Sequence, residues 1–320
     1  MQLSDLKKAM KGVFIVQTTP FNKDGSFDLE GMRANTHWLL GHTSGKDFVF
    51  VPVGSTGEFY AMSDDECKAA IKMVVEEVNG KHPVIAGTGR AAVQETIRMC
   101  QYAQSVGVDG VMVVLPYYLI PEEEGMYQYY KQVAESVNIG VILYNNPDVS
   151  GSWVKPALMA KLARIPNLIA VKENTLNFPS YYLMQKTVDP EDAVILCGRG
   201  ELVFSFEALY GCPGFVSSFA NYAPELSYSV YEAARARDFN KLAKIVNSIA
   251  PHFEFIGKVT TNHGPGAGVM GNATMYISVV KAAMDILGLR GGELSLPLVC
   301  LNEEEKADLG SILRAMKVVS

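Results

Sequence analysis

The chain lacks the residue patterns of a metalloprotein, a disulfide-stapled scaffold or a nucleic-acid binder. It has five cysteines in 320 residues, at 67, 100, 197, 212 and 300, and no two of them stand in CxxC spacing. An odd count without that spacing argues against a zinc ribbon, thioredoxin-like redox chemistry or a disulfide framework, and for buried reduced thiols. The five histidines, His37, His42, His82, His252 and His263, form no HExxH or HxH pattern, so a dedicated metal site is not expected. No apolar run reaches the ~18 residues of a membrane span, and the opening MQLSDLKKAMKGVFIV has no apolar core of signal-peptide length. A cytoplasmic protein with no membrane partner is expected. Basic residues are not in excess either: 28 Lys and Arg against 34 Asp and Glu give a net charge of −6, which argues against a nucleic-acid binder with its basic stripe.

The rest of the composition, 48% hydrophobic and 19% charged, is that of an ordinary folded protein. Its length admits two domains of about 150 residues or one larger barrel. Short β-branched runs decide between these. They begin near Val13, Asp47, Pro83, Asp109, Gly140, Leu168, Ala193 and Gly214. Most are continuously apolar, as strands buried on both faces of a parallel sheet must be. Helical patterns lie between them. Asp28 caps one, with Leu29, Met32, Trp38 and Leu39 inward, and Ser63 with Glu66 forms a capping box for the next. Further helices are expected over 92–106, 121–137, 154–163, 178–187 and 200–210. Eight βα repeats predict a (β/α)8 TIM barrel over residues 1–220. The remainder, 221–320, reads as a C-terminal helical extension packed on the barrel. Its helices start at Pro224, Asp238, about Asn272 and Glu303, and a Gly-rich stretch, 257–272, breaks it.

A barrel carries its chemistry at the carboxyl ends of its strands. There the sequence places GSTGE at 54–58, PYY at 116–118, YNNP at 144–147, VKEN at 171–174, GRGE at 198–201 and SS at 217–218. Lys172 is the most informative of these residues. A lysine inside a barrel is costly as a cation, and its neutral amine can attack a ketone to form a Schiff base. The plainer alternative is a solvated lysine or one paired with Glu173. Tyr144 at the neighbouring strand end suits proton transfer, or else is a barrel aromatic with a satisfied hydroxyl. Ser55 and Thr56, between two glycines, offer hydroxyls and backbone N–H groups to an anion, or else form an ordinary turn.

Other motifs are weaker. GxGxxA at 87–92 mimics a dinucleotide fingerprint, but the acid that follows, Asp109, opens a strand rather than closing one. No GxxxxGK[ST] is present. GPGAG at 264–268 reads as a mobile loop, and Tyr127, Tyr129 and Tyr130 as core or subunit contact.

Taken together, GSTGE, PYY, YNNP with Gly151 behind it, and VKENT resemble, in order and spacing, the N-acetylneuraminate lyase and dihydrodipicolinate synthase family of class I aldolases. The resemblance runs from GVFIVQTTPF to the LPLVCLNEEEKADL tail. It implies a Schiff base between Lys172 and pyruvate or a related 2-oxo acid, with Tyr144 as general acid/base and with no metal or organic cofactor. Ser55 and Thr56 would hold the carboxylate, with Ser55 also in a proton relay. The carbonyl of Val216 would face the imine, and Tyr118 would reach a neighbouring subunit's site in a homotetramer built as a dimer of dimers.

Two departures bear on the substrate. Synthases of the family carry an arginine two residues beyond the YNxP proline, where this chain has Val149. The lyase branch has an Asp-Glu pair after strand seven, where this chain has Gly200-Glu201 preceded by Arg199. Arg199, Glu201, Val149, Asn146 and Asn177 are therefore the candidate specificity residues. The expected function is cleavage or formation of a carbon–carbon bond between pyruvate and an aldehyde, on a 2-oxo-3-deoxy sugar acid or similar compound. The alternatives are a dehydratase working through the same imine, a dihydrodipicolinate synthase, and a non-catalytic 2-oxo acid sensor.

Overall fold

The computed structural model describes residues 1–175, 178–263 and 275–319. Eight strands form: β1 Gly12–Val16, β2 Phe48–Val51, β3 Ile85–Gly87, β4 Gly110–Val114, β5 Gly140–Asn145, β6 Leu168–Glu173, β7 Val194–Cys197 and β8 Gly214–Ser217. All pair in parallel, in the order β2-β1-β8-β7-β6-β5-β4-β3. A parallel bridge between Phe50 and Val84 joins the two ends of that order, so the sheet closes nearly completely into the expected (β/α)8 barrel.

The helices are α1 Leu3–Ala9, α2 Leu29–Thr43, α3 Asp64–Val78, α4 Val93–Ser105, α5 Glu123–Glu135, α6 Pro147–Ser150, α7 Pro156–Leu162, α8 Phe178–Thr187, α9 Gly200–Glu207, α10 Pro224–Arg235, α11 Phe239–His263, α12 Met275–Ile286 and α13 Glu303–Ala315. The anticipated caps form: Asp28 accepts the N–H of Gly31, and Ser63 and Glu66 satisfy each other's backbone N–H. Asn302 and Glu305 make a second capping box at α13. Among the described residues no helix is long and apolar enough to cross a membrane.

The uniformly apolar strands are explained by two separate cores. Alternate residues such as Phe14, Val51, Met112, Ile142 and Val216 fill the barrel, while Ile15, Phe50, Val113, Leu143 and Phe215 pack outward under the helices. Helix α1, unanticipated from the sequence, buries Leu6 and Met10 in the inner core. Gly140 leaves it room, because a Cβ there would meet the Leu6 side chain at 2.7 Å.

Beyond β8, α10 packs against β1 and α2 and stands in the ring of helices. Helix α11 continues to His263 through Pro251, so residues 257–263 extend a helix instead of breaking the region. The rest of the Gly-rich stretch, with GPGAG at 264–268, lies outside the described residues, as does Asn177. Helix α12 folds back over the barrel mouth against the turn that follows β8.

Candidate active site

Strands β5 and β6 deliver the two most chemically active side chains. Tyr144 and Lys172 are register partners across the parallel pair, so strand parity sends both inward. Both are buried, and the Lys172 Nζ lies 3.7 Å from the centroid of the Tyr144 ring, a cation–π separation. Glu173 points outward from the barrel. It accepts from Asn145 Nδ2 at 2.8 Å, from the Thr175 N–H at 2.9 Å and from the Thr175 hydroxyl at 2.6 Å. Burial pushes its carboxyl above the usual range, and these bonds oppose the rise. Lys172 is therefore neither solvated nor paired with Glu173, and among the described residues no carboxylate pairs with its amine.

The Tyr144 oxygen accepts from Asn146 Nδ2 at 2.7 Å. Asn146 is itself buried, and its Oδ1 has no hydrogen-bond partner among the described residues. The intervening Asn145 points the other way and ties the strand end to Val154 and Glu173.

Ser55 to Gly57 form one turn of 3-10 helix after β2. The turn is tight: Cβ atoms at Gly54 and Gly57 would lie 2.5 Å from the Val16 side chain and 2.7 Å from the Gln17 carbonyl. It is flanked by Val53 at φ 61° and Glu58 at φ 52°, left-handed conformations that are strained in residues with a Cβ. Such strain persists where surrounding contacts hold it. Here the Glu58 carboxylate, wholly buried, pairs with Lys281 Nζ at 2.7 Å and accepts the Ser295 N–H at 3.0 Å. Lys281 also donates to the Glu293 carbonyl. Burial pulls the Lys281 ammonium below its ordinary range, and Glu58 opposes that fall. Helix α12 adds a second anchor, Tyr276, whose hydroxyl lies 3.1 Å from Thr56 Oγ1. The Tyr276 phenol is kept protonated by burial.

Ser55, Lys172 and Tyr144 line one narrow cleft, together with Gly54, Phe59, Thr88 and Met112. Thr56 is buried beside Ser55, and Val216 lies on the inner face of β8. The other anticipated residues are placed differently. Arg199 reaches across the mouth from β7, where Nη1 bonds Asp148 Oδ2 and the Asn174 carbonyl, each at 3.1 Å. Val149 is half-exposed on α6, next to Asp148. Glu201 does not reach the cleft. It is 1% exposed on α9 and accepts from Ser217 and Ser227, both at 2.6 Å. Burial raises its carboxyl above the normal range, and the two serines oppose that rise. Tyr118 stands away from this chain's own cleft, 90% exposed beside exposed Leu119 and Ile120. Sequence reasoning missed Tyr276, Lys281 and the role of Glu58. The one signal was a lysine within an otherwise apolar helical pattern, MYISVVKAAM.

A barrel with an amine, a phenol and a hydroxyl clamp at its carboxyl end is matched by what the chain is similar to. Residues 9–316 match the profile of the Dihydrodipicolinate synthetase family. The 4-hydroxy-tetrahydrodipicolinate synthase of Archaeoglobus fulgidus is 33% identical over 310 residues, 97% of this chain and 99% of that one. Among solved structures, YagE of E. coli K12 in complex with pyruvate, a prophage protein of the dihydrodipicolinic acid synthase family, is 29% identical. It superposes with a TM-score of 0.85 over 97% of this chain and 99% of its own. A monomeric dihydrodipicolinate synthase variant, 26% identical, gives a TM-score of 0.85 over 98% and 99% of the two chains. The chain belongs to the dihydrodipicolinate synthetase family of pyruvate-dependent, Schiff-base class I lyases.

Proposed function

We propose that the protein condenses pyruvate with a carboxylate-bearing aldehyde through an imine on Lys172, as a synthase of the kind named in its archaeal relatives. The observation that carries the reading is the Lys172 amine, buried against Tyr144 in the cleft that Ser55 lines. The amine adds to C2 of pyruvate, and loss of water gives an iminium. The iminium draws electrons from the methyl carbon, which loses a proton to become an enamine. The enamine carbon attacks the aldehyde, and hydrolysis returns the amine. Tyr144 moves the protons at each stage, while the hydroxyls of Ser55 and Thr56 hold the carboxylate so that the carbonyl carbon meets the amine. Val216 lies on the neighbouring inner face, where its carbonyl would face the imine.

The names of the relatives support this synthase reading, one of the alternatives left open by the sequence, over cleavage or formation of a carbon–carbon bond on a 2-oxo-3-deoxy sugar acid. Arg199 supports it as well. Among the described residues both its side-chain bonds leave from Nη1, which leaves Nε and Nη2 for the carboxylate of a second substrate, beside the position where Val149 replaces the arginine of related synthases. Glu201, buried and bonded to Ser217 and Ser227, is not used in this reading. The second reading, cleavage of a 2-oxo-3-deoxy acid through the same imine, is favoured by Val149 itself.

The discriminating experiment supplies pyruvate with carboxylated amino-aldehydes in one arm and a panel of 2-oxo-3-deoxy acids in the other. Loss of pyruvate with a new carbon–carbon bond is the expected result. Release of pyruvate from a sugar acid would establish the second reading, and loss of water with the carbon skeleton intact would show a dehydratase.

The exposed Tyr118, Leu119 and Ile120 support assembly into a homo-oligomer, a dimer of dimers in which Tyr118 completes a neighbour's site; solution sizing across a dilution series with parallel rate measurements tests this. The five unpaired thiols suit a cytoplasmic location.

A further inference from the structure

We infer that Asn146 is a positioning residue for Tyr144, its amide fixing the direction in which the phenol offers its proton. The inference rests on the reading of Tyr144 as the proton carrier. A phenol oxygen has one hydrogen to give and lone pairs with which to accept. Asn146 Nδ2 donates to that oxygen at 2.7 Å, occupying its accepting side. The phenol hydrogen is left free to turn toward the cleft, where Lys172 Nζ sits on the same ring at 3.7 Å. Without the amide, the phenol rotates freely and its proton points at the substrate for only part of the time.

Burial of the same side chain strengthens the argument. Asn146 is 4% exposed, and its Oδ1 has no partner among the described residues. An unpaired buried amide oxygen is destabilising, and a valine of similar bulk would remove that cost. The site keeps an amide there, and the one hydrogen bond its side chain makes among the described residues goes to Tyr144. The backbone reinforces the placement. Asn146 stands at the start of α6, where its carbonyl accepts the Ser150 N–H at 3.0 Å and the Ser150 hydroxyl at 2.9 Å. Gly151 then ends the turn in a left-handed conformation.

The test separates imine formation from proton transfer. Borohydride trapping with pyruvate at saturation reads the imine. Exchange of the pyruvate methyl protons in heavy water, followed by NMR, reads the deprotonation that makes the enamine. Asn146→Val is expected to slow exchange by about tenfold, with trapping yield and half-saturating pyruvate unchanged and a melting temperature equal to or above wild type. Asn146→Asp, which can only accept, is expected to slow exchange at least as much. Wild-type exchange in either variant would overturn the inference, as would equal losses of trapping and exchange. Lys172→Ala serves as the control for the underlying reading: trapping that persists there refutes the Schiff base on Lys172 and not the role of Asn146.

Discussion

Lys172 and Tyr144 face each other across the β5–β6 pair, with the lysine Nζ 3.7 Å from the tyrosine ring centroid. The amine reaches the face of the ring, while the phenol oxygen at the ring's end meets Asn146. In the proposed mechanism the amine bonds substrate carbon while the phenol handles protons. Tyr144→Phe keeps the ring and removes the oxygen. Turnover should fall by about two to four orders of magnitude, while slow borohydride trapping of pyruvate still labels Lys172. Steady-state rates and intact mass measured on one preparation check both.

The buried pair Glu58–Lys281 joins the turn after β2 to α12, 223 residues apart in sequence. Removing one partner leaves a buried charge uncompensated, so Lys281→Met should cost about 3–5 kcal/mol in urea unfolding. The double variant Glu58→Gln/Lys281→Met should recover most of that loss. A single variant as stable as wild type would show that the pair does not hold the turn.

Thr56 and Tyr276 share a hydrogen bond of 3.1 Å. In the proposed mechanism Thr56 donates to the substrate carboxylate, which accepts only, and can then accept from Tyr276. Tyr276→Phe removes that donor. Half-saturating pyruvate should rise by about three- to tenfold, with the rate at saturation kept within about twofold. Initial-rate kinetics against pyruvate decide this.

Glu207, buried on α9, has a carboxyl pushed up to about 8 by burial, with the charge of Glu173 adding to the rise and Cys197 opposing it. Its Oε2 has no partner among the described residues. The folded state holds this proton more tightly than the unfolded chain, whose glutamate titrates near 4.5. Its contribution to stability is therefore complete below pH 4.5 and is lost as pH rises toward 8. Glu207→Gln should flatten the fall in stability between pH 5 and 8 and be more stable than wild type at pH 8.5. Urea unfolding across that range checks the sign.

Much of the architecture was legible because parallel strands buried on both faces leave unbroken apolar runs, and because the caps at Asp28 and Ser63 are local chemistry. The strand-end motifs were legible because a barrel gathers its strand ends at one mouth. Helix α1 was not, since seven residues with one buried side chain, Leu6, carry little periodicity. Helix α11 runs on to His263 because packing of Phe255 and Val259 outweighs the break expected from the Gly-rich stretch that begins at Gly257. Glu201 was misplaced because its spacing after β7 is right for the mouth, while its partners, Ser217 and Ser227, lie on β8 and α10. Tyr276 and Lys281 meet the site across more than 200 residues, a distance at which no local pattern reports contact.

The central claim is the imine on Lys172. Incubation with pyruvate and borohydride, followed by intact mass and peptide mapping, tests it most directly. The account predicts one reduced pyruvate adduct per chain, located on Lys172 and absent from Lys172→Ala. No adduct on wild type, or an adduct that survives Lys172→Ala, would contradict it.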